Sequence, residues 1–490
     1  MDFKISKSNQ QKHFFEIELR LKAEADIVEL QLPAWRPGRY ELQNFSKNIQ
    51  TFTVFDKKGL KVKFRKITKD KWEIMAKKQE LFIKYSYYSI KTDAGNSYVD
   101  DSIFYVNFVN CIPYQVGKIE TPVSVSIDIP SDWSIACALK FKKNKKGGQR
   151  VQAKSFYELY DSPLIACPTI DTKEYKIDKT QFKISVVGNY NANWPKILPA
   201  FEAFSKFQIM KMEDFPVQDY SFIIWVLPTA FYHGVEHCSS TMIVLGPDIE
   251  GDTLIADLLG VSSHELFHAW NICKIRPKEL LKYDYTKENY FETGFIVEGV
   301  TTYLGDLILV QSGVISKDEY LKELSTVCIR HFVNDGKASQ SLVESSIDLW
   351  VDGYGMGVPN KKVSIYHKGA LVAFILDLMI RNKFNHERSL YTIMKEMWFN
   401  FGKKGVGYQL NDYKLIAESI FEGDLDEYFE KCIFGNDSLE SLLNQELNKI
   451  GLELVWKNEA SLVVSELEKQ KKIQKNNLAK FLTDNEIVTI

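Results

Sequence analysis

The pentapeptide His264-Glu265-Leu266-Phe267-His268 carries two histidines four residues apart with a glutamate between them. On an α-helix such a pair lies about 40° apart around the axis and one turn along it. Both imidazoles can then reach one Zn²⁺ from the same face, and Glu265 beside them can take a proton from water at that metal. The alternative is a helix whose two histidines are ordinary polar residues. Against it stands the histidine count: eight in 490 residues, with His233, His237, His264 and His268 inside one 36-residue stretch.

A catalytic zinc needs a third protein ligand and an open position. Glu298, in GFIVEGVTTYLGD, opens a second helical pattern in an apolar setting. A carboxylate buried there is costly unless paired or bound to metal. That favours it over Asp284, Glu288 or Glu292 in the polar stretch between. The competing reading is a first-turn glutamate held by the helix dipole. Asn271 and Asp306 could orient a ligand imidazole, although Asp306 sits about 80° around the helix from Glu298. His233 and His237 suggest pocket lining more than a second metal site. Trp35 and Trp270 read as packing residues. Arg276 either positions substrate or ties down a loop.

These residues need elements to carry them. From 1 to 170 the pattern is of strands: FFEIELRLKA and DIVELQLPAW alternate, and LFIKYSYYSI and VSVSIDIP are rich in β-branched and aromatic residues. An antiparallel β-sandwich is expected. Residues 171–330 combine strands (FKISVVGNY, YSFIIWVLP) with helices that include the histidine motif. Residues 331–445 read as helical, and 446–490 return to strand-like runs, GLELVW, SLVVSEL and EIVTI. Four domains with those boundaries make an α+β multidomain chain. The lysine-rich stretch 140–150 reads as a hairpin turn.

Composition narrows the function. Lys+Arg 62 against Asp+Glu 64 gives no global field for nucleic acid or an anionic membrane. No apolar run approaches the roughly 20 residues of a membrane span, and the polar N-terminus lacks a secretory pattern. Seven cysteines without a CxxC pair suggest reduced thiols in the cytoplasm.

HELFHAWN, KIRPKEL and VEGVTTYLGDL together resemble the glycyl aminopeptidase family, a PDZ-bearing branch of the gluzincin zinc peptidases related to aminopeptidase N. YHGVEHCSST (232–241) resembles its Gly-x-Glu-His segment, and IYHKGALVAFILDLMIR (365–381) its Tyr-x-Lys-Gly segment. LPAWRPGRY (32–40) and YDSPLIA (160–166) resemble landmarks of its N-terminal domain. The resemblance implies a thermolysin-like catalytic domain at 171–330, with His264, His268 and Glu298 holding one zinc ion and Glu265 as general base. It implies that Glu236, with Gly234 and His237 beside it, binds the substrate's α-ammonium, and that Tyr366 donates to the oxyanion. Such a carboxylate would fix the scissile bond one residue from the N-terminus. Lys368 and Gly369 read as structural.

The chain departs from the family at its end. GLELVW resembles a first PDZ strand and LTDNEIVTI the Gly-Asp-x-Ile-x-x-Ile segment of the middle, without its glycine, but the 45 residues from 446 to 490 are too few for a whole domain. A truncated or degenerate PDZ-like tail is expected. The expected activity is removal of a small N-terminal residue, Gly or Ala, from peptides with a free N-terminus. A zinc endopeptidase and a catalytically inactive peptide-binding scaffold are the alternatives.

Overall fold

The computed structural model describes residues 1–143, 148–248, 253–355 and 357–484. Alternation of side chains builds the N-terminal sheets. In the strand Phe14–Lys22, Phe15, Ile17, Leu19 and Leu21 are buried while Glu16, Glu18, Arg20 and Lys22 face solvent. That strand is interior in a seven-stranded sheet, between Asp2–Lys7 and Glu80–Tyr88. Two four-stranded sheets, one around Val28–Gln31 and one around Leu164–Cys167, complete this β-rich region. Its pairs are antiparallel with one exception: Asp2–Lys7 runs parallel to Val123–Asp128. The seven-stranded sheet is therefore mixed, where antiparallel pairing throughout was expected. The reason lies in the connection, since more than a hundred residues separate these two strands and no hairpin forces them to alternate. The strands Phe141–Lys143 and Gln149–Ala153 pair as the expected hairpin, and its turn at 144–147 lies outside the described residues.

A five-stranded sheet follows in the order Asp171–Ile177, Thr180–Val187, Asp219–Val226, Ser240–Gly246, Phe231–His237. Its middle pairs are parallel and both edges antiparallel. The central strand, Asp219–Val226, is buried along nearly its whole length, as a strand covered on both faces must be. Phe231–His237, the strand bearing Glu236, lies at the edge.

The described residues gather into two compact units. The first is Met1–Ala192, Val217–Leu254 and Asp284–Glu288; the second is Asn193–Pro216, Ile255–Tyr283 and Asn289–Ile490. The five-stranded sheet belongs to the first and the histidine motif to the second.

The second unit is helical. Its long elements are Trp194–Met212, Thr253–Phe267, Thr301–Gln311, Lys317–Phe332, His367–Lys383 and Leu410–Phe421. Ser316 with Glu319, and Ser341 with Glu344, form capping boxes that start two of its helices. A buried charge cluster pins the core. Arg381, wholly buried, donates to Asp377 at 2.8 Å and to Asp484 at 2.6 Å, Lys211 meets Asp484 at 2.6 Å, and Tyr303 donates to Asp377 at 2.5 Å.

The tail begins with a hairpin of Leu452–Asn458 and Ser461–Glu466. Beyond it comes a helix, Lys472–Thr483, between the runs SLVVSEL and EIVTI that read as strand-like. Leu478 and Phe481, three residues apart, are its buried positions. Leu482 and Thr483 close this helix, and EIVTI (486–490) lies outside the described residues. Among the described residues no helix is long and apolar enough to cross a membrane.

Candidate functional site

The helix Thr253–Phe267 carries His264 and Glu265. The N–H of His268 donates to the carbonyl of His264 at 3.3 Å, which keeps the turn helical one residue further. The two imidazoles therefore share a face, with ring centroids 4.6 Å apart. Two bonds fasten the helix within its unit: Gln208 Nε2 donates to the carbonyl of Ser263 at 2.9 Å, and Ser263 Oγ to that of Gly305 at 2.8 Å.

Glu298 lies on Phe295–Val300, a turn of the wider π-helix that runs straight into the α-helix Thr301–Gln311. Such turns are uncommon and concentrate at functional sites. Its carboxylate reaches His264 Nε2 at 3.7 Å and His268 Nε2 at 3.4 Å, and the two Nε2 atoms are 2.9 Å apart. These three side chains can converge on a single cation. Donors bound at about 2.0–2.2 Å to one tetrahedral ion stand roughly 3.3–3.6 Å from each other. The observed spacings bracket that range, with the histidine pair drawn slightly close.

Protonation suits the same use. His268 Nδ1 lies 2.6 Å from the carbonyl oxygen of Asn271, and a carbonyl can only accept. The ring proton therefore sits on Nδ1, and in the neutral ring Nε2 keeps its lone pair toward His264 and Glu298. Burial lowers the His264 pKa and so favours its neutral form. Burial opposes ionisation of Glu298, but with a proton held on the facing histidines their attraction and hydrogen bonds bring its carboxyl down to about 2. A cation taking the place of that proton meets two neutral imidazoles and one carboxylate, the set a divalent metal takes.

Asn271 ties the two ligand-bearing segments together. Its side-chain nitrogen donates to the carbonyl of Ile296 at 2.8 Å, to Thr301 Oγ1 at 3.0 Å and to the carbonyl of Val297 at 3.3 Å. Three acceptors around one atom fix which end of the amide is nitrogen. One residue thus holds His268 through its backbone and the Glu298 turn through its side chain.

Tyr366 precedes the helix His367–Lys383 and is half-buried. That helix meets the Glu298 turn backbone to backbone. A Cβ on Gly299 would lie 2.5 Å from Gly369 Cα, and one on Gly369 would lie 2.9 Å from Gly299 Cα. Only a glycine pair allows this approach. It places the helix start that bears Tyr366 directly against the residue after Glu298. Lys368, fully buried, points Nζ at the carbonyls of Gln340 and Gly435, both at 3.4 Å. Its place is structural, as expected.

In the first unit, Glu236 is half-buried on the edge strand beside Gly234 and His237. His237 is buried, with Nδ1 3.1 Å from Asp161 Oδ1, and Asp161 also accepts the N–H of Cys238 at 2.9 Å. Asp161, from YDSPLIA, thus clamps the end of the Glu236 strand. No local pattern could reveal this, because 76 residues separate it from His237. His233 accepts the Ala94 N–H at Nδ1, at 3.3 Å, and burial followed by the nearby Arg36 cation lowers its pKa to about 4.

The remaining candidates fall into place. Arg276 ties a loop down, bonding the carbonyls of Ile272 and Cys273 at 3.3 Å and lying over Tyr283. Trp270 packs edge-on against Phe215 and donates to the carbonyl of Asp214 at 3.0 Å. Trp35 is wholly buried and donates to the carbonyl of Asp284 at 2.7 Å. Asp306 lines a small cavity with Tyr303, Tyr320 and Leu324. Burial pushes its pKa up to about 7.

Comparison with known proteins fixes the family. The sequence model of the M61 peptidase N-terminal domain matches residues 2–168, and that of M61 glycyl aminopeptidase matches residues 257–372. The chain belongs to the M61 glycyl aminopeptidase family. Membership makes it a peptidase. An aminopeptidase N family protein from Idiomarina loihiensis is 27% identical, with a TM-score of 0.85 over 92% of this chain and 78% of that one. The M1 zinc metallopeptidase from Deinococcus radiodurans shares the fold at 12% identity, with a TM-score of 0.55 over 89% of this chain and 94% of that one. A mutant of it bound to the substrate Tyr-Ser-Ala matches at 12% identity and a TM-score of 0.54, over the same shares. No curated protein sequence matches.

Proposed function

We propose that the protein is a zinc aminopeptidase that removes one small N-terminal residue, Gly or Ala, from peptides. The observation that carries this reading is the convergence of His264, His268 and Glu298 beside Glu265. The donor set fits one zinc ion. When bound there, zinc supplies Lewis-acid polarisation of the scissile carbonyl and acidifies water.

The chain's own residues do the rest. Glu265, buried one residue after the first ligand, takes the proton of the attacking water and passes it to the leaving amine. Tyr366 donates its hydroxyl hydrogen to the oxygen that becomes negative as the carbonyl turns tetrahedral. Glu236 pairs with the substrate's α-ammonium, so that only the first peptide bond is presented. The family supports the preference for a small first residue.

The reading as a cytoplasmic enzyme rests on seven separate thiols, which a reducing compartment maintains. The hairpin at Leu452–Glu466 is what supports a PDZ-like origin of the tail, and we assign no peptide binding to it.

The test is Glu265→Gln. The variant is expected to bind zinc like the parent and to lose hydrolysis of a glycyl chromogenic amide. Parental turnover in it contradicts the mechanism.

A further inference from the structure

The segment LPAWRPGRY has no role in the chemistry above, yet its tip touches a residue that does. Arg36 and Arg39 pair as an antiparallel bridge, with Pro37 and Gly38 between them. Proline second and glycine third, the latter at φ +74°, is the signature of a type II turn. A Cβ built on Gly38 would lie 2.6 Å from Glu236 Oε2, 3.1 Å from Oε1 and 3.2 Å from Cδ. The turn therefore lies across both oxygens of that carboxylate.

Its foundations are firm. Arg36 is buried, and its guanidinium lies so flat on Gly95 that a Cβ there would meet Nε at 1.8 Å. Its Nη1 donates to the turn's own carbonyl, Pro37 O, at 2.9 Å. Upstream, Ala34 donates to the Tyr285 carbonyl at 2.7 Å and accepts from the Asn44 N–H at 2.8 Å. A turn anchored through Ala34 and Arg36 resists swinging away from an added methyl group, so the carboxylate, at the far end of a flexible side chain, moves instead.

We infer that the Arg36–Arg39 turn roofs Glu236 and that Gly38 is a specificity-determining residue, closing the anchor to acylated or N-terminally extended peptides. This rests on the reading of Glu236 as the ammonium anchor. A free ammonium is compact and charged, and it pairs with a carboxylate without adding bulk at the nitrogen. An N-acyl group replaces the charge with a neutral amide and adds bulk at the nitrogen, where the roof limits space.

The experiment measures kcat, KM and zinc content of the full-length enzyme on glycyl and alanyl chromogenic amides and their N-acetyl forms. Gly38→Ala is expected to raise KM for the free amines about tenfold or more, the scale of a weakened charge-assisted bond. Zinc content and kcat are expected to stay near parental. Gly59→Ala controls for backbone strain, because Gly59 has φ +78° and nothing near its Cβ position. It is expected to leave KM unchanged. Identical KM values in the Gly38 and Gly59 variants overturn the roof. If Gly38→Ala does not fold, Pro37→Ala relaxes the turn without crowding Glu236. It is then expected to lower the preference for free over acetylated substrate several-fold, and an unchanged preference overturns the roof. Glu236→Gln separates the two readings. A raised KM there with none in Gly38→Ala removes only the roof, whereas an unchanged KM in Glu236→Gln removes the anchor and the roof with it.

Discussion

Asn271 offers a sharp test of how the candidate metal centre is built, because one side chain holds the turn that presents Glu298. Asn271→Ala deletes the nitrogen that serves the carbonyls of Ile296 and Val297 and the hydroxyl of Thr301. Thr301 Oγ1 keeps its own bond to Val297 O at 2.7 Å, so one carbonyl retains a partner and Ile296 O loses its side-chain donor. At about 1 kcal/mol for each of two net hydrogen bonds, the loss is roughly 2 kcal/mol. In a unit of this size that lowers the melting temperature by roughly 4–8 °C. The backbone carbonyl that orients His268 survives, so the loss at the metal comes from a misplaced Glu298. A tenfold to hundredfold drop in zinc affinity is the expected scale. Asn271→Asp separates this account from simple cavity formation. It keeps the volume but turns a carboxylate oxygen toward carbonyls at 2.8 and 3.3 Å. It is expected to be at least as damaging as alanine. The assays are melting of the metal-free protein and zinc competition against a chromogenic chelator. If both variants melt within about 1 °C of the parent with parental zinc affinity, the reasoning fails. It also fails if aspartate is milder than alanine.

Three further outcomes are expected. Gly369→Ala, which crowds Gly299 Cα and Phe295 O, is expected to lower kcat at least as much as Tyr366→Phe while zinc stays bound; parental kcat contradicts the glycine seat. Asp484→Asn leaves Arg381 with Asp377 as its charged partner and takes away the carboxylate that Lys211 meets, and is expected to cost about 3 kcal/mol in urea unfolding. An unchanged midpoint refutes the role of that cluster. Asp306 has a folded pKa of about 7, above its ordinary 3.8, so its contribution to stability is full below about 4 and lost as pH rises through 7. Asp306→Asn is therefore expected to stabilise the protein more at pH 8 than at pH 5, and denaturation at the two values checks the sign.

Much of this architecture could be read from residue patterns. The alternation in FFEIELRLKA marks a strand, and the spacing of His264 and His268 puts both rings on one face because helical geometry is local. Glu298 was recognisable from a carboxylate in an apolar run. The features that stayed hidden depend on distant partners. Asn271 could be picked out beside the histidines, but its hold on a turn 25 residues on depends on a tertiary contact that no local pattern shows. Asp161 and Gly38 gain meaning only when they meet the edge strand of Glu236. In the tail GLELVW and SLVVSEL form strands as their patterns suggest, while the helix Lys472–Thr483, with Leu478 and Phe481 buried at helical spacing, had no such signal.

The central claim is a single zinc serving an enzyme that requires a free N-terminus. One preparation, freed of metal and then titrated with zinc, tests it directly by following hydrolysis of a glycyl chromogenic amide and its N-acetyl form together. The account predicts activity that rises to a plateau at one zinc per chain, with the free amine cleaved and the acetylated form left intact. Cleavage without zinc, or equal cleavage of the two substrates, would contradict it.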